Sequence, residues 1–142
     1  MGKIIKLSDV APTETYEPGL RHRFGLTTDT CGAQGACLVR ATIPPGYQTR
    51  AHFHVNAETF NYVLSGRVRV IVGAPGIETI DEVVGPDTFI YWAAGDIHKL
   101  INVSDTESVE LIGGYSVGSG EASGKIYTEP PVTQPAAPAP PA

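Results

Sequence analysis

Three of the four histidines of this chain fall in two short segments whose spacing suits metal coordination. The first segment is Gly46-Tyr47-Gln48-Thr49-Arg50-Ala51-His52-Phe53-His54. The second is Gly95-Asp96-Ile97-His98-Lys99-Leu100-Ile101-Asn102. Residues i and i+2 of a strand face the same side, so His52 and His54 aim their imidazoles into one space. Neutral imidazole is a ligand for Zn, Cu, Fe and Ni. His98, from a separate strand, closes one face of a coordination shell and leaves the remaining positions to a substrate. The fourth histidine, in Arg21-His22-Arg23, has no such context and reads as a surface or interface residue.

These side chains need a frame, and the sequence around them reads as short strands. Ala36 to Pro45 is a β-rich run ended by prolines. Thr59–Leu64 and Arg67–Val72 follow, with Ser65-Gly66 between them, and read as a hairpin. Thr79–Val84 and Thr88–Trp92 are further strands, and His98–Val103 with Ser108–Gly113 reads as one more pair. No window of about 11 residues carries a helical apolar period. The chain holds 16 Gly and 12 Pro among 142 residues, turn chemistry that fits an all-β sandwich or barrel. Alternation places Thr59, Asn61 and Val63 on the interior face, together with Leu100, Asn102 and one of Tyr91 and Trp92. Asn61 is then a polar group near the histidines, available to a substrate. Arg50, on the loop before His52, offers a guanidinium for a carboxylate or enolate.

The two histidine segments resemble the paired motifs of the cupin superfamily. The usual first cupin motif is Gly, five residues, His-x-His, three or four residues, Glu, six residues, Gly. Gly46, His52, His54 and Gly66 match it. The usual second motif is Pro-x-Gly, two residues, His, three residues, Asn. Gly95, His98 and Asn102 match it, with Ala93 in the proline position. The resemblance covers about residues 36–115 and implies an antiparallel jelly-roll barrel holding one metal ion. One departure matters. Six residues before the closing Gly66, the Glu position falls on Thr59, and Glu58 stands next to it. A regular strand turns Glu58 outward, whereas a bulge brings it to the metal as a fourth ligand. The favoured reading resembles cupins that bind metal with three histidines only, a subset that includes Fe(II) dioxygenases.

That resemblance implies an enzyme using one divalent transition metal on His52, His54 and His98, with Fe(II) favoured over Zn, Mn or Ni. Its substrate is a small oxygenated molecule such as a diketone, phenolic or hydroxy-ketone. The alternatives are a redox-neutral lyase, isomerase or cyclase in which Glu58 or a tyrosine moves a proton, and a non-catalytic small-molecule-binding cupin. Asn102 is structural in the family pattern. A homodimer is the expected assembly, also by resemblance.

Composition sets the remaining bounds. A net charge of −5 advertises no phosphate-binding surface, so nucleic acid is not an expected partner. No apolar run approaches the ~20 residues of a membrane helix, and the first residues lack a secretory pattern. A cytoplasmic protein with no membrane partner is the expectation. Cys31 and Cys37 then stay reduced and read as small hydrophobes. The chain divides into residues 1–35 as an arm with edge strands, 36–128 as the barrel, and 129–142 as an extended Pro/Ala-rich tail.

Overall fold

A computed structural model describes residues 1–13 and 16–136. The last part of the expected tail, residues 137–142, lies outside the described residues. Ten strands form in chain order: β1 (Arg21–Leu26), β2 (Cys37–Ile43), β3 (His52–His54), β4 (Thr59–Ser65) and β5 (Val68–Val72), then β6 (Ile80–Val84), β7 (Phe89–Trp92), β8 (His98–Asn102), β9 (Val109–Tyr115) and β10 (Lys125–Tyr127). A short α-helix, α1 (Thr28–Cys31), follows β1. It is capped by Thr27 and Thr30, each of which bonds the other's backbone N–H. The strands make two antiparallel five-stranded sheets, ordered β1-β2-β9-β4-β7 and β10-β3-β8-β5-β6.

Period-two patterning decides which faces meet. In β2, Cys37, Val39, Ala41 and Ile43 are buried; in β5, Val68, Val70 and Val72 are. Ala41, Ile43 and the three β5 valines join Val63, Trp92, Leu100, Val109 and Leu111 in one core, whereas Cys37 packs with Ala57 and Tyr115 in a second, smaller cluster. The fold is the jelly-roll barrel that the motif resemblance implies.

Two expected pairings are corrected. β4 and β5 are not a hairpin: β4 pairs with β7 and β9, whereas β5 pairs with β6 and β8 in the other sheet. β8 and β9 also lie in different sheets. Gly66 makes the first crossing possible. Its φ is +83°, and a Cβ there would stand 2.4 Å from the Ser108 carbonyl oxygen. The chain therefore passes from sheet to sheet at this corner instead of folding back on itself.

Asn102 holds the neighbouring corner. Its buried Nδ2 lies 3.0 Å from Ile43 O, 3.1 Å from Pro44 O and 2.7 Å from Glu107 O, so two hydrogens serve three carbonyls. Its Oδ1 accepts from Ser104 N at 2.9 Å. Asn102→Ala strips all four contacts and is expected to lower unfolding free energy by about 2–4 kcal/mol. Urea titration measures this; a loss below about 1 kcal/mol would show that water replaces the amide at no penalty.

The C-terminal segment lies along its own barrel through residue 136. Gln134 brackets the Gln48 backbone, donating to its carbonyl at 2.7 Å and accepting from its N–H at 3.1 Å. Glu129 accepts from Ala51 N at 2.8 Å and pairs with Lys99 at 2.7 Å. No helix among the described residues is long and apolar enough to cross a membrane.

Candidate metal centre

β3 is only three residues long, yet it is pinned on both sides. β10 pairs with it, placing Lys125 opposite His54 and Tyr127 opposite His52. On the other edge His52 pairs with His98 of β8. The parity of the strands then turns His52, His54 and His98 into the barrel, where all three are buried. Ring centroids are 5.0 Å apart for His52–His54 and 4.3 Å for His52–His98. One ligand atom from each ring lies within 4.8 Å of the other two.

Hydrogen bonds behind the rings set which nitrogen faces the barrel. His52 Nδ1 lies 2.5 Å from Arg50 O, and His98 Nδ1 lies 3.0 Å from Asp96 O. A carbonyl can only accept, so each Nδ1 carries the proton and each Nε2 presents a lone pair. His54 Nδ1 is 2.8 Å from Ser123 Oγ, and that hydroxyl donates to Gly120 O at 2.5 Å. With its hydrogen committed, Ser123 accepts from His54, and the third Nε2 is also a bare lone pair. It is buried with no hydrogen-bond partner. His52 Nε2 and His98 Nε2 face each other at 3.0 Å with no proton between them. Three converging lone pairs with nothing to accept them are the electrostatic complement of a cation. Two imidazole nitrogens each ~2.0–2.1 Å from one ion span up to about 4 Å, so the observed separation fits.

Burial keeps the rings neutral, as ligands must be. Desolvation, then repulsion from His52, pushes His54 down to about 3. His98 falls well below the ordinary histidine value for the same two reasons, and His52 is lowered by burial. Burial also pushes His22 down to about 4. Exposed histidines titrate near ~6.5, so the unfolded chain takes up more protons than the folded one below that pH. Stability of the metal-free protein is therefore complete above about pH 6.5 and lost as pH falls toward the folded values. Its thermal midpoint is expected to hold steady above about pH 7 and to fall continuously from about 6.5 to 4. A midpoint flat to pH 4 would show that the imidazoles are not buried as neutral rings.

The other expected site residues divide. Asn61 lines the same cavity as His52 and His98. Glu58 does not approach the cluster and is corrected as a ligand and as a proton carrier. It is exposed, and its Oε1 accepts from Tyr91 Oη at 2.9 Å on the outer face. β4 pairs with β7 in unbroken register from Thr59, so no bulge turns Glu58 inward, and Thr59 takes the interior position. Arg50 is corrected too. Its guanidinium stacks 4.0 Å over Tyr127, and Nε donates to Glu129 O at 2.6 Å, so it does not line the cavity. His22 is not a surface residue: it is buried and lines the cavity. Between Tyr91 and Trp92 it is Trp92 that points inward, stacked 4.0 Å from His98. Ser123 has no motif in the sequence; it reads as one more small residue of a glycine-rich loop.

The cavity beside the histidines measures about 50 Å³. Its walls include Thr59, Asn61, Trp92, His22 and Glu17, with Ile43, Leu100 and Leu111 as apolar lining. The Cupin domain family matches residues 39–115, which hold all three histidines. The chain belongs to the cupins. Among solved structures, an oxalate oxidase in complex with glycolate is 18% identical at a TM-score of 0.69, covering 88% of this chain and 63% of its own. Oxalate decarboxylase from Bacillus subtilis is 19% identical at a TM-score of 0.71, covering 90% of this chain and 33% of its own. The polyketide cyclase RemF from Streptomyces resistomycificus is 25% identical at a TM-score of 0.68, covering 84% and 81%. This cupin thus spans less than two thirds of the length of two oxalate oxidases it resembles, 63% of one and 59% of the other. No curated protein matches the sequence.

Proposed function

We propose that this cupin is a mononuclear metal-dependent enzyme, an Fe(II) dioxygenase acting on a small substrate that presents two oxygens. The observation that carries this reading is the donor set. Three neutral Nε2 atoms converge, and no carboxylate joins them among the described residues. A ferrous ion bound there would keep its full positive charge and supply a template and electrons for a chelating substrate and dioxygen. The chain's own residues do the rest. Arg50 O, Asp96 O and Ser123 hold the three tautomers, and Trp92 fixes the plane of His98. The apolar lining keeps water away from the bound substrate.

A redox-neutral reaction on Zn, Mn or Ni is the second reading, favoured by the likeness to a polyketide cyclase. Elemental analysis of protein purified without a histidine tag or chelator separates the two. Near-stoichiometric iron, with oxygen uptake in the presence of hydroxy-ketones or hydroxy acids, is the expected result. Zinc, manganese or nickel with no oxygen uptake would replace it with the second reading. No metal, even after anaerobic loading, would leave a metal-free binding cupin. Free Cys31 and Cys37 suit the reducing cytoplasm we assign to it.

The assembly we propose is a homodimer across the outer face of the β1-β2-β9-β4-β7 sheet. Phe60 packs on Tyr91 and Tyr62 on Phe89 on that face, with Leu38 and Leu64 also exposed. The open edge of the sheet is β7, and an antiparallel pair of identical strands is self-complementary about a two-fold axis. Sedimentation equilibrium is expected to give a dimer for the wild type and a monomer for Phe89→Glu. A monomeric wild type at micromolar concentration would overturn the assignment.

A further inference from the structure

Three residues that line the cavity each carry a buried polar atom without a hydrogen-bond partner: His22 Nδ1, Thr59 Oγ1 and Trp92 Nε1. Their exposures are 9%, 4% and 3%. Buried polar groups are almost always satisfied, and an orphan is costly to keep. One unpaired group is unremarkable; three on one small cavity form a pattern. They also share a side. His22 sits on β1, Thr59 on β4 and Trp92 on β7, all in one sheet, and Thr59 and Trp92 are register partners. The three metal-binding histidines come from β3 and β8 of the other sheet.

We propose that His22, Thr59 and Trp92 form a recognition wall for a small 2-hydroxy- or 2-oxo-carboxylate held between the two sheets, a reading that rests on the metal centre. Size comes first. The cavity is small, about 50 Å³, which suits a compact ligand of a few heavy atoms beside the metal. Charge comes second. Three neutral imidazoles leave a divalent ion uncompensated. Glu17, the one carboxylate among the described lining residues, is already engaged: it accepts from Arg50 N at 2.8 Å and from Lys125 at 3.1 Å. An anionic ligand restores the balance. Hydrogen bonding comes third. The Trp92 indole only donates, and the Thr59 hydroxyl and the neutral His22 ring can donate, so the wall suits carboxylate and keto or hydroxyl oxygens.

The test uses the full chain loaded anaerobically with Co(II), read by metal analysis, visible absorption and calorimetric titration. The probes are glycolate and pyruvate, set against catechol and acetylacetone as bulkier chelators. Glycolate or pyruvate is expected to bind and shift the Co(II) spectrum, and catechol is not. Thr59→Val and His22→Phe are expected to keep full metal content while losing at least about tenfold in affinity for the small acids, with His22→Gln recovering part of it. His22→Phe is a sound variant to fold. The ring lies against Tyr16 at 5.2 Å and Phe24 at 6.0 Å, so phenylalanine suits the site and removes an orphan polar group. Its thermal midpoint is expected at or above that of the wild type. Unchanged affinity in both variants, or tight catechol binding, overturns the recognition wall and leaves the metal reading standing. A wild type that takes up no Co(II) overturns the metal reading, and the wall with it.

Discussion

His98→Ala is expected to purify with almost no bound metal where the wild type carries nearly one ion per chain. The remaining two imidazoles are expected to hold Co(II) at least about 100-fold more weakly, more than the loss from an outer partner of a ligand. The argument is geometric. His98 Nε2 lies 3.0 Å from His52 Nε2, while His54 comes from the same short strand as His52. Without His98 the donors come from one strand alone, and two ligands leave most of the coordination shell to water. The fold is expected to survive, because β8 keeps its ladder to β5 and its buried Leu100 and Asn102. The variant should also lose part of the acid sensitivity of the metal-free protein, since one buried neutral imidazole is gone. Elemental analysis and a pH series of thermal midpoints measure both effects. Full metal content in His98→Ala would mean that the ion sits elsewhere, and the three-histidine centre would be abandoned.

What the sequence exposes and what it hides follow from the range of the interactions. The parity of a strand is local, so His52 and His54 can be placed on one face from spacing alone, while His98, on another strand, is joined to them by its motif context. The same count puts Thr59 inward and Glu58 outward, and the structure has them so. Strand partners are not local. Thr59–Ser65 and Val68–Val72 look like a hairpin because each alternates and a Ser-Gly pair lies between them. Nothing in either run says that Gly66 passes within contact of the Ser108 backbone and carries the chain to the opposite sheet. His22 illustrates the same gap. Its flanking arginines make it look exposed, and only the pairing of β1 with β2 turns the ring into the barrel. Ser123 lies 69 residues from His54, in a loop that no periodicity describes. Arg50 fails for another reason: its position before His52 is legible, but the Tyr127 ring that captures it arrives from β10.

β10 is also where the second large effect lies. Lys125→Ala is expected to destabilise the fold by about 3–5 kcal/mol, a large part of the ~5–15 kcal/mol that holds a domain together. The side chains of Lys125 and Glu17 are 11% and 4% exposed, so this is a buried pair, not a surface one. The Lys125 ammonium donates to the Tyr16 carbonyl and sits over the Tyr16 ring at 3.9 Å. Truncation leaves the Glu17 carboxylate in the interior with little beyond the Arg50 N–H and a 3.4 Å contact from Tyr127 Oη. An uncompensated buried charge, more than the lost attraction, is what destabilises. The double variant Lys125→Met with Glu17→Leu is therefore expected to recover most of the loss, since apolar replacement of a buried pair is often neutral. The consequence reaches the metal. Lys125 pairs in register with His54, and Tyr16, Glu17 and Leu20 close one side of the cavity. Loosening this clamp frees β3, so Lys125→Ala is expected to weaken Co(II) binding even where the protein remains folded. Urea titration and metal titration of the two variants together decide it. If Lys125→Ala costs less than about 1 kcal/mol, water reaches Glu17, and the clamp does not hold the metal strand in place.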